Sequence, residues 1–326
     1  MATPAICAER PTQPLGNAPL CEASALQRLP GEASRWLVAD NEIHDRLFLF
    51  ERTDRGLRVA AASPTLPLDG QGRPRDIEAL ALVEQDLFVV GSHSRGRSCE
   101  AGDKRKRRHI LRTRPAKGHL ETIARVSGRE AIDALQRSGA TVVDCLAALF
   151  VVPHPTLARE TCEALLGAER RASAERCETF NIEGAVGVGE PGRLWLGLRS
   201  PLVGGRAALL RLADGASELR FDAVSLIDLG GLGIRALAQA GGHLYGVAGD
   251  TVDSSRSQLW VGELPVPGRR LPAARVLEAL PAGAEGLSPA RSGAEAVAVT
   301  DGQDPGEDPS RCRKPAGQLT VPLALP

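Results

Sequence analysis

The sequence predicts an all-β fold, a β-propeller of five four-stranded blades carrying a helical insertion, with six blades as the alternative. Three observations predict it. A short motif recurs as Glu22-Ala23-Ser24-Ala25-Leu26, Asp76-Ile77-Glu78-Ala79-Leu80, Asn181-Ile182-Glu183-Gly184-Ala185, Gly233-Ile234-Arg235-Ala236-Leu237 and Gly283-Ala284-Glu285-Gly286-Leu287. Its third residues, Ser24, Glu78, Glu183, Arg235 and Glu285, are separated by steps of 54, 105, 52 and 50 residues, so that 105 reads as a doubled interval. A period near 50 is the signature of a repeated supersecondary unit. Within each unit, alternating or continuous apolar runs are broken by glycine-rich or charged turns, as in strands. The chain also holds 35 glycines and 23 prolines in 326 residues, which suits short elements joined by many turns.

Taken in order, the unit from Glu22 predicts strands at Ala23–Leu29, Arg35–Ala39, Arg46–Glu51 and Leu57–Ala62. The unit from Asp76 predicts Ile77–Val83, Asp86–Gly91, His109–Arg114 and Leu120–Val126. The unit from Asn181 is clearest, with Ile182–Val188, Arg193–Leu198, Ala207–Leu212 and Glu218–Leu226. The unit from Gly233 follows with Ile234–Gln239, His243–Ala248, Gln258–Glu263 and Ala274–Leu280. The last unit gives only Glu285–Ser288, Glu295–Thr300 and Gln318–Leu325, and residues before Cys21 are candidates for its missing strand. Four strands per repeat of this length is a propeller blade.

The doubled interval differs in texture. Ser127-Gly128-Arg129-Glu130 has a capping-box pattern, and Thr156 to Arg171 spaces Leu157, Cys162, Leu165 and Leu166 at helical intervals. These predict a helical insertion over 127–178 within a single domain spanning 1–326. The alternative is a degenerate sixth blade built on Thr141-Val142-Val143 and Leu149-Phe150-Val151-Val152.

In a propeller the first strand of each blade lines the central channel, and the loop after the second strand opens on the same face. Counting 15 or 16 residues past each reference position reaches Asp40, His93, Arg199, Asp250 and Asp301, each polar and each following an apolar run. The expected site is therefore an inner ring of Ser24, Glu78, Glu183, Arg235 and Glu285 with an outer ring of Asp40, His93, Arg199, Asp250 and Asp301 at one channel mouth. A polar, internally paired channel lining is the structural alternative. His93, in Gly91-Ser92-His93-Ser94-Arg95-Gly96-Arg97, is a candidate acid or base, weighed against a plain polar lining.

Equal numbers of acidic and basic side chains, 40 each, argue against a global nucleic-acid or membrane-surface binder. The basic run Lys104-Arg105-Lys106-Arg107-Arg108-His109 has no interleaved aromatics and reads as a solvated loop. Asp301, Asp304, Glu307 and Asp308 lack the twelve-residue calcium-loop pattern and read as an acidic turn. No stretch approaches a membrane span, and the N-terminal residues do not resemble a signal sequence. Seven cysteines without a C-x-x-C pair exclude a zinc ribbon. They lead us to expect free thiols and a cytoplasmic location, with export as the alternative.

Asp76-Ile77-Glu78, Gly91-Ser92-His93-Ser94, Phe180-Asn181-Ile182-Glu183-Gly184, Gly197-Leu198-Arg199-Ser200-Pro201 and Asp228-Leu229-Gly230-Gly231-Leu232-Gly233-Ile234-Arg235 resemble a bacterial domain-of-unknown-function family, number 3616. The resemblance implies a propeller-like fold and no particular activity. Glu183-Gly184 and Glu285-Gly286 are also similar, more weakly, to motifs of esterase-like phytases and the gluconolactonase group. That likeness implies a divalent cation such as calcium held by Glu78, Glu183 and Glu285, while Ser24 and Arg235 depart from an all-carboxylate ring. Two functions are expected to compete. One is a metal-assisted hydrolase of an anionic or phosphorylated small molecule, with Arg199, Arg235 and Arg95 gripping the anion and His93 and Glu183 as catalytic candidates. The other is a noncatalytic binding scaffold whose helical insertion contacts a protein partner.

Overall fold

The computed structural model describes residues 12–16, 20–31, 35–60, 65–68, 73–95, 99, 107–116, 118–151, 156–173, 177–189, 191–253, 255–302 and 315–323. Strand β1 (Gln13–Pro14) precedes the first blade, which is β2 (Ala23–Arg28), β3 (Arg35–Asp40), β4 (Arg46–Thr53) and β5 (Gly56–Val59), with β6 (Thr65–Pro67) also on β4. The second blade is β7 (Ile77–Val83), β8 (Asp86–Gly91), β9 (His109–Ala116) and β10 (His119–Ser127). Helices α1 (Arg129–Gln136), α2 (Val142–Leu149) and α3 (Thr156–Arg171) intervene. The third blade is β11 (Asn181–Val188), β12 (Arg193–Ser200), β13 (Ala207–Leu212) and β14 (Phe221–Asp228). The fourth is β15 (Gly233–Ala240), β16 (His243–Gly249), β17 (Ser257–Gly262) and β19 (Arg275–Leu280); β18 (Arg269–Ala273) leaves it to pair in parallel with β14. The fifth is β20 (Ala284–Pro289), β21 (Glu295–Thr300) and β22 (Gly317–Pro322).

The innermost strands β2, β7, β11, β15 and β20 neighbour one another in that order, and β20 returns to β2, so five blades close a ring. Apolar residues from facing sheets fill the space between successive blades. Leu37, Leu49, Leu80 and Val89 lie between the first and second, and Trp195, Leu209, Ile234 and Trp260 between the third and fourth. Between the second and third, the helices join the core through Ile132, Leu149 and Leu165, packed with Ile110, Leu196 and Phe221. Their apolar faces, spaced three or four residues apart, have no other cover in this part of the fold.

The fifth blade takes its outer strand from the other end of the chain. Gln13 and Pro14 pair with Gln318 and Gly317, as expected for the missing strand. The Gln318 amide then ties this blade to the first: its Oε1 accepts the Leu57 N–H at 2.7 Å, and its Nε2 donates to the Leu57 and Pro14 carbonyls, each at 3.0 Å. Gly56, at φ 102°, leaves room for that amide, because a Cβ there would run into it.

Three expectations need correction. The sixth-blade alternative is not what forms, since Val142–Leu149 is a helix. Thr141 caps it by accepting the Asp144 N–H while the Asp144 carboxylate accepts the Thr141 N–H, and this reciprocal cap overrides the β-branched run Thr141-Val142-Val143. At α1, by contrast, Gly128 is the N-cap without a side-chain bond, and Ser127 ends β10. Free thiols are not found at five cysteines: Cys21 is disulfide-bonded, and Cys99–Cys177 and Cys145–Cys162 form, the second of which staples α2 to α3. Lys104 to Lys106, Gly96, Arg97, Asp304, Glu307 and Asp308 lie outside the described residues. No helix among the described residues is long and apolar enough to cross a membrane.

Candidate functional site

All five reference residues occupy the same structural position. In each innermost strand the ladder register slips across one residue: between Ala23 and Ala25, Ile77 and Ala79, Ile182 and Gly184, Ile234 and Ala236, and Ala284 and Gly286. The residue skipped is Ser24, Glu78, Glu183, Arg235 or Glu285, so each is the extra residue of a β-bulge, released from pairing and re-aimed. The next position is always alanine or glycine, because adjacent inner strands crowd there. A Cβ at Gly286 would lie 2.9 Å from the Leu26 backbone nitrogen, and one at Gly184 would meet Ile234 and Leu237. One residue further on, Leu26, Leu80, Ala185, Leu237 and Leu287 are all buried. They and the ring residues enclose a void of about 10 Å³, room for about one water molecule. The channel is therefore a polar ring on an apolar plug.

Within the ring, charges pair across blades. Arg235, 1% exposed, donates through Nη2 to the Glu285 carboxylate, and its Nε lies 3.4 Å from Glu183 Oε2. Arg199 donates to Glu183 Oε1 at 2.8 Å and to the carbonyls of Asp250 and Asp253 at 2.9 and 2.6 Å. Asn181 donates to the same Glu183 oxygen at 2.9 Å. Ser24 donates to the Ile77 carbonyl, tying the first blade's inner strand to the second's.

The electrostatics differ between the three glutamates. Burial opposes ionisation of Glu183, but Arg199 and Arg235 outweigh it and hold the carboxyl below its usual range. Burial pushes Glu285 up to about 8; Arg235 counters this, whereas Glu183 and Asp301 add to it. Glu78 is raised well above the usual range by burial and by Asp76, Glu183 and Glu285. It is half-buried, and no described residue hydrogen-bonds to it. Arg235 is held charged by Glu285, Glu183, Glu78 and Asp301 against its own burial. Carboxylates outnumber guanidiniums, and the excess pushes Glu285 up to about 8 and raises Glu78 in the same direction.

The outer ring is not a ring. Arg199 joins the cluster through its hydrogen bonds, and Asp301 acts on it through charge. Asp40 instead accepts the N–H groups of Cys21, Glu22, Glu42 and Ile43 and organises two turns. Asp250 holds Arg256 and Ser255 in its own loop, which lowers its carboxyl to about 2. His93 is 1% exposed and packs edge-on to Phe180 and close to Gly128. Its Nδ1 lies 2.7 Å from the Gly91 carbonyl, and burial lowers its pKa to about 4. It thus faces the root of the helical insertion. Arg95 pairs with Glu169 of α3 at 2.5 Å.

Counting missed Asp76, Asn181 and the Asp253 carbonyl. Asp76 accepts Ser92 Oγ and Arg107, both at 2.5 Å. Asp76 and Asn181 each stand two residues before a ring glutamate, so the same period could have found them; the carbonyl has no sequence signal. The expected calcium ligands do not fit a metal as arranged. Arg235 lies against both Glu183 and Glu285, and no group of three or more His, Cys, Asp or Glu side chains among the described residues has metal-holding geometry.

Residues 175–261 match the family described as "Protein of unknown function (DUF3616)". This is the family that the motifs resemble, and the matched segment holds Glu183, Arg199 and Arg235. No curated protein matches the chain by sequence. Among solved structures, the chain is similar to hydrazine synthase of Kuenenia stuttgartiensis at 8% identity and TM-score 0.41, over 92% of this chain and 59% of that one. It thus spans about three fifths of that protein. It is similar to Myxococcus xanthus glutaminyl cyclase at 10% identity and TM-score 0.46, over 97% of each chain. A GH43 β-1,3-galactosidase gives 8% identity and TM-score 0.48 over 94% of each.

Proposed function

We propose that the channel mouth is a binding site for a small molecule bearing a cationic group, with Glu78 as its contact. The observation that carries this reading is that Glu78, alone among the three ring glutamates, has no ion pair or hydrogen bond from a described residue and only the more distant charge of Arg235, in a cluster already short of positive charge. An anionic ligand, the expectation from sequence, would need Arg199 and Arg235, whose N–H groups are turned to Glu183, Glu285 and backbone carbonyls. A cation relieves the acidic excess and displaces the proton from Glu78, so binding tightens as pH rises. The leucine plug confines access to the polar end.

The test is a thermal-shift panel of primary and quaternary amines against phosphate monoesters. Amines are expected to stabilise the wild type, with proton release on binding, and Glu78→Gln to abolish the effect. Stabilisation by phosphate monoesters alone, or persistence in Glu78→Gln, would sink the reading. A second reading has its own support: a buried carboxyl shifted toward its protonated form, as Glu78 is, suits a general acid. Hydrolysis of esters, lactones or glycosides would then be lost in Glu78→Gln without loss of thermal stability, and no turnover across that panel rejects it. The Cys99–Cys177 and Cys145–Cys162 disulfides support an oxidising compartment over the cytoplasm. A protein partner at the helical insertion stays a proposal, to be tested by whether a chain lacking 127–178 loses copurifying proteins.

A further inference from the structure

Away from the channel, the helical insertion and the mouth loop of the second blade enclose a second cavity of about 330 Å³. That volume is at the lower end of the range of small-molecule sites. Its walls include Arg95 from the loop, Arg137 and Ser138 from the turn after α1, and Glu169 and Arg170 from α3. Arg95 and Glu169 form an ion pair at 2.5 Å whose side chains are 18% and 4% exposed, so the floor is close to neutral. Burial raises the Glu169 carboxyl, and Arg95 opposes this through its charge and a hydrogen bond. Arg137 and Arg170 are exposed at the rim, with Asp144 acting on Arg137 through charge. Two exposed guanidiniums therefore stand over a floor that is close to neutral.

We propose that this cavity binds a small phosphate monoester. Arg137 and Arg170 grip the phosphate, and Glu169 meets a hydroxyl or amine on the rest of the molecule. The two rim guanidiniums select the class: a phosphate monoester carries roughly −1.5 to −2 at neutral pH, and their planar forks suit phosphate oxygens. Glu169 supplies a directional partner that bare inorganic phosphate cannot use, so an ester with a neighbouring hydroxyl should bind more tightly than the free ion.

The experiment is isothermal titration of the full chain at constant ionic strength with inorganic phosphate, glycerol 3-phosphate and, as control, glycerol. Saturable one-to-one binding is expected for both phosphates and not for glycerol. Arg137→Ala and Arg170→Ala should each weaken binding by about tenfold, the loss of one charge-assisted contact. Glu169→Gln should narrow the gap between the ester and the ion, and Glu78→Gln should leave both unchanged. Both arginines are exposed, so circular dichroism and melting of the variants should match wild type. Absence of saturable binding, or binding indifferent to both arginine changes, overturns the proposal. Loss of binding in Glu78→Gln also overturns it, by placing the phosphate in the channel instead.

Discussion

Replacing Arg235 by methionine removes the guanidinium that stands against two buried carboxylates and leaves the pairing between strands intact. The side chain is 1% exposed and its partners Glu183 and Glu285 are 5% and 9% exposed. Breaking a buried pair from one side costs about 3–5 kcal/mol, because the surviving charge stays desolvated. Glu183 retains Arg199 and Asn181, so the loss falls on Glu285. That carboxyl is pushed up to about 8 in the wild type and escapes by holding its proton, which places the expected loss at pH 7 near the lower bound, about 3 kcal/mol. For 326 residues this lowers Tm by roughly 4–5 °C. Urea denaturation at pH 7 and 9 measures it, with the larger loss at pH 9. At pH 9 adding Glu285→Gln should restore at least half of the lost stability, since the stranded carboxylate is then gone. A loss below about 1 kcal/mol, or no rescue by Glu285→Gln, would refute the account of the ring as a coupled ion cluster.

The wild type should lose stability as pH rises from about 6.5 to 8. Glu285 has its folded-state pKa raised from 4.5 to about 8, so the folded chain binds more protons than the unfolded one in that window. The slope is about 1.4 kcal/mol per pH unit for each such group, Glu78 acts in the same direction, and Glu285→Gln should remove one share of it. Below pH 6.5 His93, lowered to about 4, works the other way: the unfolded chain takes up its proton first and offsets the Glu285 slope, so His93→Asn should uncover a loss of stability with rising pH between about 4.5 and 6.5. Gln318→Ala should cost about 2–3 kcal/mol, because it strips partners from both the N–H and the carbonyl of Leu57 and opens the seam between the last and first blades. Chemical denaturation checks this, and a change under about 0.5 kcal/mol would mean that the seam is held by apolar packing alone.

The inner ring was legible because its five members share one backbone event, and a shared event leaves a constant spacing. The outer ring was not. Asp40 ends β3 opposite Ala23, whereas Asp250 lies beyond the end of β16 and Asp301 beyond β21. Asp250 and Asp301 share the same offset past their strands, yet Asp250 turns to Arg256 and Ser255 whereas Asp301 acts on Arg235, so local loop partners that counting does not see decide which side chain reaches the channel. Strand order in the third blade was readable up to β14, but β18, cut from the fourth blade and laid parallel beside it, follows from packing between distant segments. The β-branched run at Thr141 read equally well as strand, and only the reciprocal cap with Asp144 settles it as a helix start. Arg235 was legible as a ring member; that it neutralises two carboxylates instead of presenting itself to solvent needed the geometry.

The bulge common to all five inner strands separates chemistry from architecture. Each ring side chain is attached where the backbone has already dropped out of the ladder, so exchanging it breaks no backbone ladder bond and shifts no register. The five positions behave as sockets in a fixed frame. A serine, three glutamates and an arginine fill them here, and relatives with the same frame are free to carry other sets. Transplanting the five residues of one such chain into another should therefore move the specificity of the mouth with them.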